Sequence, residues 1–142
     1  MRTLIIVAMF AFCASAQAKD YTKEILGKWQ SDEAKTLEDI SRHPEIPADA
    51  LKTYKNHYYG RLRLIIQKDR SAAYFTDQDL NEPIKFGAHK FSEQGDNYLD
   101  ISFFDEASKK EDVIRWYFDG KYMYTIVSKW KFREYYRKLD WK

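Results

Sequence analysis

Proton transfer near neutral pH falls first to histidine, and the chain has three, His43, His57 and His89. They stand 14 and 32 residues apart, which fits no local metal pattern such as His-x-x-x-His, where two imidazoles share one helix face. His43 precedes Pro44 in an expected loop, His57 lies near the end of an expected helix, and His89 sits in an expected strand beside Lys90. Surface or loop positions are expected for all three. A serine nucleophile finds no support either. None of Ser31, Ser41, Ser71, Ser92, Ser102, Ser108 and Ser128 occupies a Gly-x-Ser-x-Gly turn. Asp77-Gln78-Asp79 opens like a calcium loop, but the glycine and distal glutamate that would complete it are missing. Asp105-Glu106 suits local turn hydrogen bonding. No glycine-rich loop is present to cradle a phosphate. Enzyme chemistry, a metal and a cofactor are therefore not expected. A carboxylate or histidine with a shifted pKa inside a cavity would reopen the catalytic reading.

The aromatic residues carry the positive signal, at 17% of the chain. Trp116, Phe118, Tyr122, Tyr124, Trp130 and Phe132 fall in consecutive expected strands. The segment from Val113 to Phe118 is apolar on both faces, so one face is expected to look into a core and the other to be covered. In a barrel the inward set would line a cavity for an apolar or aromatic ligand, or would simply fill the interior. A second group, Tyr54, His57, Tyr58 and Tyr59, combines aromatic anchors with polar neighbours, as interface hot spots do; the alternative is that these tyrosines cap the barrel. The Lys109-Lys110 pair and the alternating Arg61 and Arg63 read as solvated faces. With 24 basic and 22 acidic residues the net charge is +2, so no basic face points to nucleic acid.

These side chains need a scaffold, and the first 18 residues stand apart from it. MRTLIIVAMFAFCASAQA has one basic residue, an apolar run too short to span a bilayer, and small-x-small sites ending at Ala16 and Ala18. It reads as a secretory signal peptide cleaved after Ala18, leaving residues 19–142 as one domain with no transmembrane segment. Lipidation of Cys13 is disfavoured by the bulky Phe12 before it. Cys13 is the single cysteine and leaves with the leader, so the exported domain has no disulfide. Export without disulfides suits a periplasmic or secreted bacterial protein.

In the remainder, a first strand at about Leu26–Ser31 leads into a helical insertion at about residues 32–58. Its first helix is capped at Ser31 or Asp32. The second starts after Pro47 with a Leu51, Tyr54, Tyr58 stripe and stops at Gly60. From Arg61 the period is two. Hairpins are expected at residues 61–76, 84–104 and 113–127, the last turning at Asp119-Gly120, where positive φ is favoured. Lys129–Leu139 fits a strand or a helix, and its aromatic content favours a strand. The expected fold is mainly β: a roughly eight-stranded antiparallel up-and-down barrel with a short helical insertion after the first strand.

Ile25-Leu26-Gly27-Lys28-Trp29 resembles the Gly-x-Trp signature on the first strand of lipocalin-like (calycin) proteins, and the layout is similar to that of small exported bacterial members. The resemblance implies a barrel closed at one end by Gly27 and Trp29, with an arginine of the last strand, Arg133 or Arg137, over the tryptophan. It also implies a non-enzymatic binding protein for a small hydrophobic ligand. The alternative is a protein–protein interaction module such as an inhibitor, immunity factor or adaptor.

Overall fold

A computed structural model describes residues 19–57, 59–77, 83–127 and 129–140. Strands β1 (Gly27–Ser31), β2 (Leu62–Ile66), β3 (Arg70–Phe75) and β4 (Gly87–Gln94) are followed by β5 (Tyr98–Asp105), β6 (Lys110–Asp119), β7 (Tyr122–Ile126) and β8 (Arg133–Lys138). Each pairs antiparallel with the next, and β8 returns to pair with β1, closing an eight-stranded up-and-down barrel. A one-turn helix, α1 (Tyr21–Glu24), precedes β1, while α2 (Glu33–Ile40) and α3 (Ala48–His57) occupy the connection to β2. No helix among the described residues is long and apolar enough to cross a membrane.

Residues opposite one another in an antiparallel ladder share a face, so the register assigns the interior. Trp29 faces Leu64, Leu64 faces Ala73, Leu99 faces Trp116, and Ile101 faces Ile114. Phe118 faces Met123, which faces Tyr136. These form the inner surface, and most of them form the barrel core together with α1. Tyr117, Tyr124 and Tyr135, opposite one another on β6, β7 and β8, look outward.

α1 plugs one end. Tyr21 stacks on Phe118 at 4.3 Å and 16°, and Ile25 is fully enclosed. The Trp29 indole N–H donates to the Ile25 carbonyl at 2.8 Å, which anchors the ring beneath the plug. Gly27 has φ +130°, a conformation that side-chain-bearing residues rarely adopt, so the glycine two residues before the tryptophan has a backbone reason. The cation over Trp29 is Lys138, 5.2 Å from the ring centroid, and its Nζ also donates to the Glu24 carbonyl. Neither Arg133 nor Arg137 does this. Arg133 begins β8 at the opposite end, and Arg137 lies outward across from Gln30.

At the other end α2 completes the wall where β1 runs out. The β1–β8 ladder ends at Ser31↔Tyr136, which would leave the N–H groups in the first half of β8 without acceptors on that side. The Thr36 hydroxyl accepts from Tyr135 N at 3.0 Å, and the Asp39 carboxylate accepts from Arg133 N at 2.7 Å. Asp32 caps α2 by accepting from Lys35 N at 2.9 Å. The helical pair encloses a second cluster of Ile40, Ile46, Tyr59 and Phe132, flanked by Tyr54 and Trp130. It therefore covers the β7–β8 connection and not the outer face of β6, where Val113 stays exposed.

Several boundaries differ from the sequence reading. β6 starts at Lys110, three residues before the expected Val113. β4 starts at Gly87, three residues after the expected Ile84. The last segment is a strand, but only from Arg133, after Trp130 and Phe132 have entered the helical cluster. The third hairpin pairs Asp119 with Tyr122, so its two turn residues are Gly120-Lys121, with Gly120 at φ +59°. Glycine at the first central position is the other residue pattern that two-residue hairpins favour.

Candidate functional site

β3 presents Ser71 and Ala73 to the barrel interior, where neighbouring strands present Leu64, Ile66 and Ile101. Two small side chains in a ring of large ones leave space unfilled. A cavity of about 200 Å³ results, walled on its far side by Phe103, Ile114 and Trp116. Its lining is almost entirely apolar, with the Ser71 hydroxyl and the Trp116 indole N–H the side-chain polar groups among the described residues. Such a site gains affinity by burying ligand surface, at about 25 cal/mol per Å². A dry apolar cavity of about 150 Å³ takes benzene, so this one suits a single substituted ring or a short branched chain and is too small for a lipid tail.

Of the six aromatics expected to line a cavity, the structure places only Trp116 there. Phe118 points inward but is sealed under Tyr21 at the plugged end. Tyr122 and Tyr124 look outward, each within ring contact of Tyr135 at 6.0 and 5.1 Å. Trp130 and Phe132 belong to the helical cluster, where Phe132 is fully enclosed. The remaining lining residues were not singled out from sequence. Their signal was the Ser71-Ala72-Ala73 run inside a strand, where side chains large enough to fill the interior are normal.

The expected interface tyrosines are largely internal. Tyr59 is buried and Tyr54 half-buried, and their rings lie 6.0 Å apart against Phe132. The side chains of His57 and Tyr58 lie outside the described residues. The most exposed large apolar side chains among the described residues are elsewhere: Phe104 is 55%, Val113 51% and Ile126 41% exposed. Two of these, Val113 and Ile126, flank a groove of about 380 Å³ where β6 runs on past the last rung it shares with β7, Tyr117↔Tyr124.

His89 is 5% exposed, its ring 5.2 Å from Phe91, and neither nitrogen has a hydrogen-bond partner among the described residues. Burial lowers its pKa, opposed by the nearby Gln67 backbone and the Asp69 carboxylate. It is thus a core histidine rather than the expected surface one. Among the described residues no group of three or more His, Cys, Asp or Glu side chains converges to hold a metal. One ion pair on the outer wall spans two strands. Arg115 donates to both Asp100 oxygens at 2.7 Å, directly across the β5–β6 ladder, and its guanidinium lies 3.8 Å from the Tyr98 ring centroid.

No known protein family matches the chain, and neither does any curated protein or solved structure.

Proposed function

We propose that this chain is an exported, non-enzymatic binding protein that holds a small apolar molecule, about the size of one substituted ring, inside its barrel. The observation that carries the reading is the 200 Å³ cavity left between Ala73 and Trp116. A barrel evolved only for stability would be expected to fill such a space, since voids in a core cost contacts on every side. The leader at Met1–Ala18, outside the described residues, supports export, and the Gly27-x-Trp29 start supports a lipocalin-like mode of use. Toluene and indole are suitable probes. Titration into the purified protein should give saturable shifts of the Leu64, Ile101 and Ile114 methyl resonances and of Trp116. Uniform, non-saturating shifts across the surface would contradict the reading.

A second reading, an interaction module, is favoured by the exposed Phe104, Val113 and Ile126 at the open end. Exposed apolar side chains gathered at one rim mark association surfaces. If that reading holds, Val113→Ser with Phe104→Ser would abolish capture of the partner while leaving toluene binding intact.

A further inference from the structure

A separate chamber lies at the open end, between the second helix of the insertion and the last strand. Tyr54, Tyr59, Val127 and Glu134 line it, and it encloses about 170 Å³. That is room for about six waters at ~30 Å³ each, or for one small ligand head group.

Three observations define its chemistry. The first is aromatic. The Tyr54 and Tyr59 rings lie 21° from parallel, and both meet Phe132 edge-on at 5.7 and 6.4 Å, so they stand as fixed walls. The second is an unsatisfied polar atom. Tyr59 is 3% exposed, and its hydroxyl has no hydrogen-bond partner among the described residues. A buried hydroxyl left without a partner costs about 1–3 kcal/mol, so a site that leaves it open has a reason to be filled. The third is charge. Glu134 points inward from β8, across from Thr125 and one inward position from Tyr136. Burial raises its pKa, the Tyr136 hydroxyl is the neighbour that favours its ionised form, and no Lys or Arg among the described residues shifts it.

We propose that this chamber binds a small organic cation, an alkylammonium or quaternary ammonium group, with Glu134 as counter-ion and Tyr54 and Tyr59 as cation–π walls. An anion would meet the Glu134 carboxylate at short range. A neutral ligand would leave that carboxylate without an opposite charge, whereas a cation satisfies Glu134 and the negative ring faces together. An ammonium that carries N–H groups would also donate to the Tyr59 oxygen. The site shares no lining residue with the barrel cavity, so it stands or falls independently of the ring-sized ligand.

The test is calorimetric titration of the purified chain with tetramethylammonium and with n-propylammonium chloride, followed in parallel by the Tyr54 and Tyr59 ring resonances. tert-Butanol serves as the neutral comparator of similar bulk and potassium chloride as the ionic-strength control. Saturable binding of at least one of the two ammonium ions is expected, with tert-butanol at least tenfold weaker. Glu134→Gln should lower ammonium affinity at least tenfold, and Ala73→Leu, which fills the barrel cavity, should leave it unchanged. Should Glu134→Gln not fold, Tyr54→Leu tests the same site through its aromatic wall and should also lose at least tenfold. Tyr59→Phe separates the two ions, weakening n-propylammonium and sparing tetramethylammonium. Absence of saturable binding for both ions, equal binding of tert-butanol, or unchanged ammonium affinity in Glu134→Gln would each overturn the proposal.

Discussion

His89 is the residue whose place in the fold most changes the meaning of its type. Enclosed beside Phe91 without a hydrogen-bond partner among the described residues, it resists protonation in the native state because burial disfavours the imidazolium. The unfolded chain has no such resistance and takes up the proton near pH 6.5, the ordinary histidine value, at about that pH. Between that pH and the lower native pKa the unfolded state binds more protons, so stability falls as pH falls through the ordinary histidine range. The urea midpoint should therefore decline between neutrality and pH 5, and His89→Gln, which cannot protonate, should show a shallower decline. Equal slopes for the two proteins would contradict the assignment. Sequence alone placed His89 in a strand but not on a face. Only the pairing His89↔Phe103 sets its parity inward. The aromatic residues pose the same difficulty. Because Val113–Phe118 is apolar on both faces, period two cannot say which of Trp116 and Tyr117 looks in.

At the scale of elements, α2 does more than connect β1 to β2. Its Thr36 and Asp39 side chains supply acceptors that a longer β1 would have supplied from its backbone. Thr36→Val keeps the shape of the side chain but removes the acceptor, stranding the Tyr135 N–H in a fully buried site. A loss of about 1–3 kcal/mol is expected, and Thr36→Ser should recover most of it. Denaturant unfolding of the two variants decides the matter, since equal stabilities would show that Thr36 contributes through packing alone. The meander was legible because proline, glycine and period two agree along it, and Asp32 was legible as a helix cap. The one-turn α1 was not, because four residues are too few for a helical period to declare itself. Trp130 and Phe132 mimic strand alternation yet leave the sheet and pack into the cluster under the helical pair.

At the scale of the molecule, eight short strands with a returning last strand close the sheet on itself, which is the physical reason the count of strands carried the architecture. The plugged end shows how far a short motif reaches. Gly27 and Trp29 occupy the expected closing positions, whereas the cation above the indole comes from Lys138, a residue the arginine pattern did not suggest. The cavity was hidden for a different reason. Volume depends on which side chains from four strands meet, and no local spacing encodes that.

Native mass spectrometry of the protein purified from its own source decides whether the interior is kept open to hold a small apolar molecule. The expected result is a reproducible added mass, of single-ring size, that disappears on denaturation. Ala73→Leu should carry no such mass and, with the void partly filled, should be more stable to denaturant by on the order of 1–2 kcal/mol. A bare protein mass, together with an Ala73→Leu variant destabilised by overpacking, would contradict the binding reading by showing that the interior has no room to give.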